Sequence, residues 1–323
     1  MGAHCWIVRI IFKTEMERTT DSALIHFWRK FAQDKWALAG LYFIATLFLI
    51  SLLGASIRPD GSENANDQQI QWAKLPPLST VHFDLDFRGN RNVDGHSEQR
   101  LFLLGTDRLG RDIVSRLMAG TYISLTVGFI SVAISLLVGV IVGLLAGYYR
   151  GWIDVALSWI INVIWSIPNL LVVMAFILAF GVGFWKVFIA IGLTMWVEVA
   201  RIVRGQILSI REKEYIEAAR SMGMSDWRIM FREMLPQLWP ILIVISAANF
   251  SSAILIESGM SFLGLGVQIP APSWGNMIRE NYAMIPTQHA HLALAPGICI
   301  MLTVLALSYV GNGLRSALDI KKI

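Results

Sequence analysis

The feature that most restricts this chain is a set of long apolar stretches almost free of charge. Residues 36–56 contain no Asp, Glu, Lys or Arg, and further stretches cover 123–148, 155–180, 187–202, 239–258 and 292–310. A bilayer core needs about 20 apolar residues in a helix to cross it. A helix also bonds its own backbone groups, which hydrocarbon cannot do. Composition agrees: 55% of residues are apolar and 15% charged, against roughly 25% charged in soluble domains. The predicted fold class is an all-α polytopic membrane protein with six transmembrane helices.

The connections divide the chain. Residues 1–35 carry Arg9, Lys13, Arg18, Arg29, Lys30 and Lys35 ahead of the first span, and the apolar run 7–12 is too short to cross, so it reads as an interfacial helix or a mobile lead. Residues 57–102 turn polar, with Pro59, Gly61, Pro76 and Pro77 as breakers, and read as an extramembrane insert with strand residues around 80–87. Residues 103–320 hold the other five spans. Gly128, Gly139, Gly143 and Gly147 give the second span small faces that a neighbouring helix can approach, and Pro168 is expected to kink the third. Cys5 and Cys299 are the only cysteines, which excludes a disulfide framework and a thiolate metal site. No cleavable signal peptide or myristoylation pattern is expected.

One loop stands out by its charge. Residues 201–236 place Arg201, Arg204, Arg211, Lys213, Arg220, Arg228 and Arg232 against Glu212, Glu214, Glu217, Asp226 and Glu233, between two apolar spans. Helix formers dominate 206–222 and Gly223 interrupts them. Ser225 can then cap a second short helix, with Asp226 near its positive end. Leu235-Pro236 marks the turn into the next span, since proline suits a first helical turn and not an interior. A solvated, salt-bridged loop explains the charges, but not the spacing of the Glu217-Ala218-Ala219 triplet, Gly223 and Leu235-Pro236. Two other motifs flank the spans: Leu104-Gly105-Thr106-Asp107 with Gly110-Arg111-Asp112, Ser115-Arg116-Leu117 and Gly120, and Ser261 to Gly266 with Pro272-Ser273-Trp274-Gly275. In the first, Thr106 or Asp107 can cap a helix that sets Arg111, Asp112 and Arg116 on a polar, interfacial face.

Taken together these motifs resemble the permease subunits of ABC importers, specifically the dipeptide/oligopeptide and nickel subfamily of the C type, over residues 104–320. The resemblance implies a type I importer permease fold whose 201–236 loop forms a cytoplasmic coupling helix seated on an ATPase. The coupling residues would be Glu217, Ala218, Ala219, Gly223, Leu235 and Pro236. It also implies a homologous second permease (a heterodimer), two cytoplasmic ATPase subunits, an external substrate-binding protein, and a place in the bacterial inner membrane. Peptide is the implied cargo; nickel and glutathione importers share the pattern. Three positions depart from it: Tyr122 stands where a basic residue is usual, and Trp159 and Asn162 replace an Arg and an Asp one turn apart. The paired loss leaves no unmatched buried charge.

Within the spans, Glu257, Asn249 and Asn162 are candidates for a translocation path. Glu257 sits close enough to the span's end to reach water or a partner backbone, although carboxylates within a membrane are costly and often functional. Glu198 is expected to pair with Arg201 one turn on. His289 and His291 read as surface residues without a third metal ligand. The chain has no GxxxxGK[ST] phosphate loop, so ATP hydrolysis falls to partners, and no catalytic residue, cofactor, metal or nucleic acid is expected. Basic residues concentrate in the N-terminal lead, the Arg150 turn, the 201–236 loop and the tail, which the positive-inside rule places in the cytoplasm. An ion-driven secondary transporter is the rival; it would predict internal repeats and ionisable sites at mid-membrane, and neither is evident. A membrane scaffold would leave the spacing from Glu217 to Pro236 without a reason.

Overall fold

A computed structural model describes residues 25–83 and 98–318 of the chain. The interfacial segment expected at 7–12, the strand residues expected at 84–87 and the last residues of the basic tail lie outside the described residues. A helical turn through 25–33 leads into α1 (Lys35–Ile57), where the Asp34 carboxylate accepts hydrogen bonds from Trp36 N and Ala37 N at 3.0 and 3.1 Å. This cap satisfies N–H groups that no helix can bond internally. Pro59 follows its end. The insert holds an antiparallel pair, β1 (Ser79–Phe83) and β2 (Glu98–Phe102), with Ser79 opposite Phe102 and Phe83 opposite Glu98.

The central rod is α2 (Ile113–Tyr149), 37 residues long and so about 55 Å from end to end. It begins ten positions ahead of the predicted span. No separate helix lies between β2 and α2; the Arg111 motif winds straight into α2. The cap is neither Thr106 nor Asp107 but Asp112, whose carboxylate accepts from Ser115 N at 3.0 Å. Along the other half, a Cβ added at Gly139, Gly143 or Gly147 would stand within 2.5–2.8 Å of side-chain atoms of Val199, Val203 or Ile207. Only glycine lets the two helices approach this closely.

The predicted third span is two helices, α3 (Gly151–Trp165) and α4 (Asn169–Phe180), set at 90° to each other. Pro168 does more than kink the helix. Lacking an N–H and crowding the turn before it, it ends one helix, and its carbonyl starts the next by accepting from Leu171 N at 2.9 Å. α5 (Phe184–Arg211) is long but includes Lys186, Glu198, Arg201 and Arg204. Among the described residues, four helices are long and apolar enough to cross a membrane, or five if the bent pair counts as one span. After α6 (Glu214–Ser221) the chain runs helically from Asp226 to Phe262. It passes through a π-turn at Ile229–Met234 and a 3₁₀ turn at Leu235–Leu238 into α7 (Trp239–Phe262). Pro236 therefore changes the helix type without turning the chain aside. Two helices complete the fold, α8 (Trp274–Asn281) and α9 (His291–Ala317). α2 packs against α5, α7 and α1, and α9 closes the bundle against α7 and α1.

Candidate functional site

The 201–236 loop is built on one apolar surface. Ile216 and Ala219 of α6 are buried against Val203, Ile207, Ile210, Ile229, Met230 and Met234. That leaves Glu214, Tyr215, Glu217, Ala218 and Ser221 on the exposed face. The two alanines of the triplet thus part company, Ala219 inward and Ala218 outward. α6 ends when Gly223 N donates to Arg220 O (3.0 Å) and Met224 N to Ala219 O (3.2 Å), the paired closure of a helix by a left-handed residue. Gly223 has φ 76° with nothing within 4 Å of a would-be Cβ, so glycine is needed for its dihedral angle and not for space. Ser225 stands at the start of the next helix, but its side chain makes no capping bond.

Polar ties anchor this loop to the ends of α2 and α5. Tyr148 OH donates to Asp226 Oδ1 at 2.6 Å, while Arg211 Nη1 donates to Tyr148 O at 2.5 Å. Arg204 forks onto both oxygens of Asp154 at 2.5 and 2.8 Å. Lys213 Nζ donates to Gln237 Oε1 at 3.2 Å, and Gln237 in turn bonds the Tyr215 hydroxyl. Arg201 does not pair with Glu198, which is exposed. Its guanidinium donates to Asn162 Oδ1 at 2.9 Å and lies over the Trp165 ring at 3.6 Å. α3 crosses near α5 and offers a fixed acceptor and an aromatic face, which outweigh a flexible carboxylate in water. Among the described residues, the Glu217 side chain has no hydrogen-bond or ion-pair partner.

At the other end of α7, Glu257 does not reach water: it is 0% exposed. Ser261 Oγ donates to its Oε1 at 2.6 Å, Ser258 Oγ lies 3.5 Å from Oε2, and Ser273 Oγ bonds Ser261 Oγ at 3.2 Å. The segment after α7 folds back over the carboxyl. Gly275 lies so close that an added Cβ would be 2.6 Å from Ser258 O, and Trp274 Nε1 donates to Leu117 O at 3.3 Å. Asn249 is buried, and its Nδ2 has no partner among the described residues. The structure does not bring the three path candidates together. Asn162 is exposed on α3 and held by Arg201, whereas Asn249 and Glu257 lie about 12 Å apart along α7.

Reading the sequence missed a charge cluster. Arg111 and Arg116 are buried, not interfacial. Asp107 Oδ2 accepts from Arg111 Nε at 2.6 Å and from Arg116 Nη1 at 2.8 Å. Glu280 of α8 receives the same two guanidiniums at 2.5 and 2.9 Å, and Asn66 of the insert accepts from Arg111 at 3.1 Å. Asp107 Oδ1 also takes the backbone N–H groups of Leu109 and Arg111. The alternation of acid and base from Asp107 to Arg116 was the available signal, but Glu280 is too distant in sequence to be read as the fourth member. Among the described residues no group of three or more His, Cys, Asp or Glu could hold a metal ion.

Residues 139–322 match the family described as the inner membrane component of binding-protein-dependent transport systems. Residues 22–77 match the N-terminal transmembrane domain of oligopeptide transport permease C. A glutathione transport system permease protein of Pectobacterium atrosepticum is 37% identical over 298 residues, covering 91% of this chain and 90% of that protein. A dipeptide transport system permease protein of Bacillus subtilis is 36% identical over 294 residues, covering 91% and 84%. A solved structure of the MetNI methionine ABC transporter in an inward-facing conformation superimposes with TM-score 0.53 at 19% identity, over 64% of this chain and 96% of that one.

Proposed function

The chain belongs to the family of inner-membrane components of binding-protein-dependent transport systems, and on that premise we propose that it takes up peptides, α6 coupling it to an ATPase. It is a membrane-spanning permease subunit of an ABC importer and not an enzyme. Relatives named for glutathione and for dipeptides favour small peptides as its cargo, delivered by an external binding protein. ATP would be hydrolysed by two partner subunits, and a second, homologous permease would complete the path.

In this reading the chain crosses the inner membrane six times, α3 with α4 and α5 supplying the third and fourth crossings. Both ends and the 201–236 loop then face the cytoplasm, and the 57–102 insert faces out. Residues 1–35 form the inner lead and 103–320 the permease core. Closure of the ATPases would press on α6, and the apolar contacts of Ile216 and Ala219 would carry the displacement to α2, α5 and α7. Such rigid-body rocking alternates the opening of the path between the two sides. Glu257 and Asn249, on the helix that α6 leads into, are the residues proposed to line or gate that path; Asn162 belongs to it only through Arg201.

The observation that carries the coupling role is the division of α6: one face buried, the other ending in an exposed, unpartnered Glu217 ahead of a glycine turn. A carboxylate so presented is an acceptor for a partner's basic or backbone donors. The test is the reconstituted transporter carrying Glu217→Lys or Gly223→Pro. The expected result is ATPase activity no longer stimulated by loaded binding protein and at least a tenfold loss of uptake, with normal membrane insertion. Wild-type coupling in both variants overturns the assignment.

A further inference from the structure

A groove of about 630 Å³ runs between the second half of α2 and the helical run from 227 to 246. Leu137, Ile141, Phe231, Leu235 and Ile243 wall it, and its one hydroxyl, Ser246 Oγ, is already committed to Leu242 O at 2.6 Å. Along α2 the groove extends from Ala133 to Leu145, a rise of about 18 Å. One leaflet of a bilayer with a hydrocarbon core of about 30 Å is about 15 Å deep, so the groove has the depth of a single leaflet.

Its mouth lies beside the 201–236 loop and has the character of a headgroup region. Trp227 lines it there and is exposed, and indoles favour the membrane–water boundary. Arg228 and Arg232 each follow a lining aromatic, Trp227 and Phe231, and so project about a quarter turn round the helix from the groove. Both are exposed, and among the described residues neither has an ion-pair partner. The nearest acids in sequence are Asp226, which accepts from Tyr148 OH, and Glu233, which is half-buried. The mouth therefore presents two exposed guanidiniums beside an apolar interior. The close, small-residue mode of helix approach has little footing on these walls, which are Leu, Ile, Val, Phe, Met and Trp apart from Ala133 and Ser246. The small-residue face of α2 is already used by α5.

We propose that this groove holds a phospholipid from the leaflet on the loop's side, one acyl chain lying along α2 and an anionic headgroup bound by Arg228 and Arg232. The site adjoins the segment joining α6 to α7, so its occupant touches the elements through which motion of the loop would pass.

The test uses the assembled transporter, incubated with vesicles of phosphatidylglycerol or of phosphatidylcholine, washed in detergent and assayed by mass spectrometry for retained lipid. The wild type is expected to retain phosphatidylglycerol in preference to phosphatidylcholine. Arg228→Gln with Arg232→Gln is expected to lower that retention about tenfold, given the known attraction of clustered basic residues for anionic lipid. Ala133→Trp, which fills the groove at an exposed position, is expected to reduce retention of both lipids. Failure of the wild type to retain either lipid, equal retention of the two, or unchanged phosphatidylglycerol retention in the double variant overturns the proposal. So does photocrosslinking of Ile141→Cys, labelled with a benzophenone, to the second permease, which would show a protein helix in the groove.

Discussion

The two ends of α2 carry similar numbers of arginines and carboxylates and treat them in opposite ways. At its start, Arg116 and Asp107 meet at 2.8 Å with side chains only 3% and 1% exposed, and Glu280 and Asn66 complete the set. At its finish, Arg150 and Glu212 meet at 2.6 Å with side chains 44% and 70% exposed, and Glu217 has no partner among the described residues. Charges withdrawn from water must be matched within the chain, because a lone buried ion is far costlier than a pair. Charges left in water face no such demand and remain available to another protein. The first end is a closed joint holding the insert, α2 and α8 together; the second leaves its charges in water, as the proposed coupling role requires.

The contrast is broken most severely by Asp107→Ala, which leaves two buried guanidiniums with Glu280 as their one shared carboxylate among the described residues. The expected loss is about 3–5 kcal/mol, seen as a collapse in folded yield or a much lower unfolding temperature in detergent. An Asp107→Ala protein as stable as wild type would mean that the joint is open to water. Next comes Ser261→Ala, which removes the 2.6 Å donor to the buried Glu257 and is expected to cost about 1–3 kcal/mol; Ser261→Thr keeps the hydroxyl and should restore most of it. Gly223→Ala forces a side chain into a left-handed dihedral at a cost of about 1–2 kcal/mol. Because no atoms crowd that position, the cost should stay local to the turn, and the loss of coupling of ATP hydrolysis to uptake should exceed the loss of folded yield. The smallest effect is assigned to Arg150→Ala, which breaks an exposed pair and should change stability by less than about 1 kcal/mol. A large loss there would erase the distinction between the two ends.

Local chemistry carried much of this architecture. Length and apolarity placed α1, α2, α7 and α9, since about 20 apolar residues have few alternatives in a bilayer. Gly223 was readable because a glycine after a helical run signals a left-handed closure. Glycines four apart on α2 pointed to a packed helix face, which α5 occupies. Other features depended on residues far apart in the chain. Arg201 was expected to pair with Glu198 at helical spacing, but α3 brings Asn162 and Trp165 to it from about forty positions away. Glu257 looked accessible from its place near a span's end, and it was buried by a segment that folds back over it.

By itself, then, the sequence determined that the chain is a membrane-embedded helical protein, where its main helices run, and that a charged helix–glycine–helix loop separates two of them. Those properties follow from patterns within about one turn or one span, where neighbours in the chain are neighbours in space. Only the tertiary structure decided that Arg111 and Arg116 are buried, that Pro168 divides one span into two helices at a right angle, and that Glu217 faces outward unpartnered while Ala219 turns in. Burial is set by what other elements place on top of a residue, and a charge's role changes with its solvent even when its sequence surroundings do not.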